Sequence, residues 1–263
     1  MMPRANWKGV LKVAEVTCPV SLYTAASTSE RIAFHILNRK TGNRVHREYV
    51  DEETGKPVEA ADQVKGYETG AGDYIVLEPE EIAEAVPESD KTLDVEAFIG
   101  LEEVDDTYFD RPYYLAPSTP AAQEAFALLR EGMRQQKVGA VARTVLFRRL
   151  RPVMITAHDS GLVATTLNFD YEVRSAAEAF RDIPDLKIEG EMLDLARHII
   201  STKAGTFEPE KFDDRYEAAL AELVRAKIEG RKIPAKPKPA PATKPNQLLE
   251  ALRQSAGGMR KAG

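Results

Sequence analysis

The stretch Ala140–Arg174, AVARTVLFRRLRPVMITAHDSGLVATTLNFDYEVR, decides the fold. Its β-branched and apolar residues come in short runs, interrupted by Asp159, Ser160 and Gly161, residue types that favour a tight turn. It predicts three strands, the last two joined at that turn. Within it, ARTVLFRRLR places Arg143, Arg148, Arg149 and Arg151 on a strand. Alternation puts Arg149 and Arg151 on the side of Arg143, and Arg148 on the other. Such a cluster is costly inside a barrel, so at least one face must meet solvent, acids or phosphates.

Working outward, GVLKVAEVTCPVSLY (Gly9–Tyr23) reads as one strand and the start of another, ending near Pro19. DYIVLEPEEIAEA (Asp73–Ala85) is a strand followed by a short acidic helix, and Val95–Pro117 offers further strands. Thr119 before Pro120 starts a helix, with Ala122, Phe126, Leu129 and Met133 at helical spacing until Gly139. A second helix, Glu189–Lys203, carries Met192, Leu195, Ala196 and Ile199 on one face and stops by Gly205. A third places Phe212, Tyr216, Leu220 and Leu223 on one stripe and stops at Gly230. No internal repeat is evident. Many short strands with glycine turns and intervening helices predict an α+β fold, a β-barrel decorated by helices.

Between the first strands and the barrel's remainder, residues 31–68 alternate extended pieces with two glycine turns, KTGN (Lys40–Asn43) and ETGK (Glu53–Lys56). The segment is polar on both faces and reads as a projecting β-ribbon. It holds Arg39, Lys40, Arg44, Arg47 and Lys56, a basic edge that can lie along a nucleic-acid groove. A solvated hairpin is the plainer reading.

The 263 residues are 43% hydrophobic, enough for one sizeable core. A single cysteine, Cys18, excludes an internal disulfide framework and fits a reducing compartment, so a cytoplasmic location is expected. The N-terminus shows no signal-peptide pattern and no apolar run suits a membrane span. Net charge is −6, yet the signs are segregated. Glu78–Asp110 has thirteen acids against one base; Arg130–Arg151 has seven bases against one acid; Arg231 onward has eight bases against one acid. An acidic body that keeps basic stretches can bind a phosphate backbone locally, although charged runs also occur as plain solvated faces.

Catalytic patterns are weak. His158, Asp159 and Ser160 are adjacent and cannot serve as a hydrolase triad, so turn chemistry explains them. GAG at Gly70–Gly72 lacks a third glycine and a following helix. His35, His46, His158 and His198 have no metal-ligand spacing, and no phosphate-loop motif occurs. No catalytic residue, cofactor or metal is expected. No recognition helix is evident either, so backbone binding without sequence preference is the expected mode.

Seven motifs in register carry a family resemblance. They are WKG (Trp7–Gly9), PVSLYTA (Pro19–Ala25), VKGYE (Val64–Glu68), YFDRPYYLAP (Tyr108–Pro117), FALLREGM (Phe126–Met133), FDYEVRSAAE (Phe169–Glu178) and FEPEKFDDRYEAAL (Phe207–Leu220). The chain resembles the prokaryotic Ku family over nearly its whole length. The resemblance implies a homodimeric ring of two β-barrels with projecting arms, threaded by double-stranded DNA ends. It also implies recruitment of an ATP-dependent end-joining ligase (ligase D), a nucleoid-associated location and no enzymatic activity of its own. Residues 1–205 would form the core, 206–230 a ligase-docking helical segment, and 231–263 a flexible basic tail.

Under that resemblance, Arg39, Lys40, Arg44, Arg47, Lys56, Arg143, Arg149 and Arg151 are the expected channel lining. The Phe212, Tyr216, Leu220 and Leu223 stripe is either the ligase-docking face or a face packed on its own body. Beyond it, RKIPAKPKPAPATKP is too proline-rich for a helix and reads as an extended tether; NQLLEALRQS reads as a short amphipathic helix or a frayed terminus. Dimerisation is expected through the arms and the Glu189–Lys203 helix. Two departures from the family pattern stand out. Thr41–Val58 lacks the paired cysteines that suggest a metal knuckle in some members, and Lys12–Thr17, KVAEVT, replaces the usual Phe-Gly-Leu-Val. The rival readings are a small hydrolase using His158 or His35, and a protein-interaction module whose basic stretches bind acidic proteins.

Overall fold

The computed structural model describes residues 4–70, 72–85, 91–188 and 190–231. The proline-rich tail, NQLLEALRQS and Glu189 therefore lie outside the described residues. The chain divides into two compact units, one of Met1–Glu30 with His35–Ala176, the other of Arg31–Phe34 with the residues from Ala177 onward.

In chain order the strands are β1 (Trp7–Val13), β2 (Val16–Thr24), β3 (Lys65–Gly70), β4 (Asp73–Leu77), β5 (Thr92–Gly100), β6 (Phe109–Pro117), β7 (Val138–Leu146), β8 (Arg149–His158) and β9 (Gly161–Leu167). The α-helices are α1 (Pro79–Ala85), α2 (Gln123–Gln136), α3 (Ala176–Ala179), α4 (Glu191–Thr202) and α5 (Arg215–Ile228). Seven strands close a barrel in the order β1-β2-β6-β9-β8-β7-β5, and β3 with β4 forms a separate two-stranded sheet. The expected α+β barrel with helices is thus the observed class. All barrel neighbours are antiparallel except the closing pair, β1 with β5, in which Val10, Leu11 and Lys12 run parallel to Thr92, Leu93 and Asp94.

The barrel closes because its strands alternate. Ala140, Ala142, Thr144 and Leu146 on β7, and Val153 and Ile155 on β8, are buried, and they meet Leu11, Val20, Leu22, Leu93, Leu115, Leu162 and Ala164 from the other strands. Fully burying a leucine or valine of this kind contributes about 1.5–3 kcal/mol. Phe126 and Met133, two turns apart on α2, join the same core. Two arginines on that helix hold the turn predicted at Asp159–Gly161: Arg130 Nη1 donates to the Ser160 carbonyl at 2.6 Å, and Arg134 Nη2 to the Asp159 carbonyl. Cys18 is buried and donates to the Ala122 carbonyl at 3.4 Å, and burial pushes its thiol pKa up.

Several local expectations change. Pro19 does not end a strand; it sits inside β2 opposite Val10, whose amide turns away to the Lys91 carbonyl, so the β1–β2 ladder asks for no Pro19 donor, and the Pro19 carbonyl accepts from the Ser118 amide. Thr119 makes no side-chain cap, because Pro120–Ala122 form a 3-10 turn before α2 begins. The helix ends at Lys137, in the left-handed conformation at φ 56°, while Gly139 lies inside β7 beneath the Met154 side chain.

In the second unit, α4 half-buries Leu193, Leu195, Ala196 and Ile199, leaving Met192 outward of that face. Asp214 caps α5, its Oδ1 accepting from the Tyr216 and Glu217 amides at 3.1 and 3.0 Å. Phe212 therefore precedes the helix rather than heading its stripe. The Glu217 carboxylate accepts from the Ile32 amide at 3.0 Å, which ties Arg31–Phe34 to this unit.

Candidate nucleic-acid interface

The segment 35–58 forms no extended ladder. Its only pairings among the described residues are single bridges, Leu37 with Arg44 and Val50 with Pro57. Nor is it polar on both faces: Ile36, Leu37, Tyr49 and Val50 are exposed. The projecting ribbon of the sequence reading is instead a pair of tight turns, and the two are copies of one another.

In the first turn, the Asn38 amide donates to the Asn43 carbonyl, Gly42 to Asn38, and Val45 to Ile36. Thirteen residues on, Asp51 donates to Lys56, Gly55 to Asp51, and Val58 to Tyr49. The threonine of each turn, Thr41 and Thr54, accepts from the amide two residues ahead. Gly42 and Gly55 sit at φ 72° and 65°, in open space, so glycine is required there by the dihedral alone. An internal repeat therefore exists after all. The copies differ in charge: Arg39, Lys40 and Arg44 of the first stand where the second has Glu52, Glu53 and Pro57.

Arg39, Lys40, Arg44, Arg47 and Lys56 are all exposed, and none forms an ion pair with another described residue. In the second turn the Thr54 hydroxyl and amide both donate to Asp51 Oδ1 at 2.7 Å, which holds the Asp51 carboxyl below its ordinary pKa. Lys56 thus sits in an acidic turn, whereas Arg39, Lys40 and Arg44 share one whose side chains carry no acid.

On the barrel, the arginines do not share one face. Leu146 pairs directly with Arg149, so Phe147 and Arg148 are the two central residues of a hairpin turn, and both have positive φ, 52° and 66°. Crossing a two-residue turn reverses the parity of alternation. Arg151 stands opposite Thr144 and Arg149 opposite Leu146, on the inward face at the barrel's mouth, whereas Arg143 stands opposite Pro152 on the outside. The grouping of Arg143 with Arg149 and Arg151 is therefore corrected. Arg143 is also engaged, by Glu96.

Beside the hairpin tip lies a groove of about 1110 Å³ that the sequence reading missed. Trp7, Leu77, Ile82, Val145 and Phe147 line it, with Lys65, Lys91, Arg148 and Arg149. Only the spacing Leu146–Arg149 could have announced it, and Phe-Arg offers none of the usual turn residues.

The expected docking stripe is exposed in the second unit: Phe212 is 71% and Tyr216 69% accessible, Leu223 is exposed and Leu220 half-buried. Phe207 packs against Phe212 with ring centroids 5.3 Å apart. His158 ends β8 and lies 3.5 Å from the Asp159 carboxylate, and Ser160 sits in the turn, so the three residues form a hairpin end rather than a triad. Among the described residues no group of three metal-ligating side chains converges, and no helix is long and apolar enough to cross a membrane.

Comparison with known proteins gives a consistent result. Residues 12–195 match the family model described as the Ku70/Ku80 beta-barrel domain. A protein of Cereibacter sphaeroides named non-homologous end joining protein Ku is 60% identical over the full length of both chains. Proteins of the same name from Bradyrhizobium and Methylocella silvestris are 44% and 37% identical, covering 100% and 98% of this chain and 90% and 97% of their own.

Proposed function

Since the chain belongs to the bacterial Ku family, we propose that it acts in non-homologous end joining as a homodimeric ring that holds double-stranded DNA ends without reading their sequence and recruits an ATP-dependent end-joining ligase. The observation that carries the DNA-binding part is the basic turn: exposed cations, unpaired among the described residues, on a chain whose net charge is negative. Phosphate contacts of this kind add up in salt-sensitive, sequence-independent affinity. Arg39, Lys40, Arg44 and Arg47 are the principal lining, Arg149 and Arg151 contribute from the barrel mouth, and Lys56 and Arg143 contribute less because acids stand beside them.

A closed dimer is supported by the β3–β4 sheet, whose eleven residues are all exposed, with Tyr67, Tyr74, Ile75 and Val76 among them. A two-stranded sheet is marginal alone and gains stability by covering such a face. Ligase docking is assigned to Phe212, Tyr216, Leu220 and Leu223, whose exposure favours a partner over intramolecular packing.

The test is binding of the purified protein to linear duplex, to covalently closed circular duplex, and to linear duplex with both ends blocked by bulky hairpins, at physiological salt. Threading predicts strong preference for free ends that disappears on blocking. Equal binding to all three would reduce the protein to an electrostatic coat. For docking, Tyr216→Ala with Leu223→Ala should abolish stimulation of the ligase while leaving end binding intact.

A further inference from the structure

We infer that the groove beside the β7–β8 hairpin tip is a docking site for an acidic peptide segment of a partner protein, anchored by aliphatic or aromatic side chains. The site goes beyond DNA binding and lies on the barrel unit, not on the C-terminal stripe.

Its chemistry is two-sided. The lining is mainly aliphatic and aromatic, and among the described residues its charged members are the cations Lys65, Lys91, Arg148 and Arg149. In a chain with 42 acids and 36 bases, three exposed cations, Lys65, Arg148 and Arg149, with no carboxylate among the described lining residues, favour an anionic occupant. At about 1110 Å³ it exceeds the range of an ordinary small-molecule pocket, about 300–1,000 Å³, and suits a short amphipathic helix with anchors at i, i+4 and i+7.

The hairpin tip is held open at a conformational cost. A turn of this type favours Asn-Gly, and a bulky residue in the left-handed region is destabilised. Phe147 and Arg148 nevertheless occupy both left-handed positions, with Phe147 62% exposed on the lining of the groove. Backbone strain of this sort, carried by an exposed aromatic beside an arginine, marks a recognition surface. Single-stranded nucleic acid is disfavoured as occupant, because Leu77, Ile82 and Val145 offer aliphatic walls where base stacking needs a series of aromatic faces, and Phe147 is the one exposed ring among the described lining residues.

The experiment uses full-length protein without DNA, because Arg149 also belongs to the proposed DNA lining. The probe is a fluorescein-labelled helical peptide of about four turns, with leucine and phenylalanine at i, i+4 and i+7 and glutamate elsewhere. Anisotropy should show saturable binding, at least about tenfold tighter than for the same peptide with glutamine in place of glutamate. Lys65→Glu with Arg148→Glu, and separately Ile82→Asp, should each weaken it about tenfold or more. Phe147→Asn with Arg148→Gly should also weaken it while keeping or raising the melting temperature, which separates loss of docking from loss of fold.

Equal affinity for the glutamate and glutamine peptides, or indifference to these variants, overturns the inference. So does a labelled oligothymidylate whose binding is lost in the same variants, which would make the groove a nucleic-acid site. Peptide binding that emerges only in Glu88→Gln with Asp90→Asn would make the chain's own segment 86–90 the occupant. A concentration-dependent dimer broken by Ile82→Asp would make it a second copy.

Discussion

Arg143 and Glu96 form a two-pronged ion pair on the outside of the barrel, Nε to Oε1 at 2.5 Å and Nη2 to Oε2 at 2.8 Å. The ladder itself places Arg143 opposite Asp94; Glu96 reaches it because the β5–β7 register shifts between Val95 and Ala97, and Glu96 is the extra residue of that bulge. The pair lowers the Glu96 carboxyl pKa and raises that of the Arg143 guanidinium, chiefly through their hydrogen bonds. Both side chains remain substantially in water, so the contact shapes charge more than it stabilises.

Glu96→Gln should therefore release Arg143. If Arg143 then meets a phosphate, duplex affinity rises and the slope of log K against log salt steepens by about 0.9. Anisotropy titrations across a salt series read both quantities, and an unchanged slope removes Arg143 from the DNA-binding set.

Alanine at Arg39, Lys40, Arg44 or Arg47 should flatten the same slope by about 0.9 per contact, equally for duplexes of different sequence. Lys56→Ala should do less, since Glu52 and Glu53 occupy its own turn. A loss that depended on DNA sequence would mean base readout instead of phosphate contact.

Acid should loosen one turn and spare its twin. Asp51 titrates below the ordinary carboxylate range, so its contribution is fully present above the unfolded-state pKa and is lost as pH falls through the depressed folded-state value. Asn38, its counterpart, has no proton to gain. Amide exchange of Thr54 and Gly55 should speed up in that acidic window relative to Gly42, once intrinsic rates are divided out; parallel behaviour of the two turns would refute the account.

Two glycine substitutions should move stability in opposite directions. At Gly9 a Cβ would collide with the Lys91 carbonyl and the Trp7 ring, at the place where Val10 donates to Lys91 and the barrel closes. Gly9→Ala should destabilise by about 1–3 kcal/mol or more. Gly132, on α2, has open space around it, and Gly132→Ala should stabilise by up to about 1 kcal/mol. Thermal melts of the two variants side by side give the signs.

The barrel strands could be read from the sequence because their side chains alternate and Asp159–Gly161 has turn chemistry. Other features depended on parity or register, which residue types do not reveal. Phe147–Arg148 looks like strand interior, and treating it so put Arg149 and Arg151 on the wrong face. The twin turns share only Thr, Gly and Val at matching positions, so opposite charges hid the repeat. Glu96 meets Arg143 only through a bulge, and Phe212 has helical spacing to Tyr216 although the helix begins only after the Asp214 cap. The cations of 35–58 were identifiable by type alone; that their twin turn is acidic needed the hydrogen bonds.

The parallel seam between β1 and β5 has a kinetic consequence. It joins residues about eighty positions apart in the chain through a register of three pairs, and the whole of 25–91 must be looped out before it forms. Contacts of such long sequence separation form slowly, so closing the seam belongs among the late events of folding. The entropy of closing a flexible loop grows only logarithmically, by about 0.6 kcal/mol for each doubling of length. The insert between β2 and β5 can therefore lengthen or shorten considerably with little penalty to the barrel, and the same closed wall can tolerate inserts of different length.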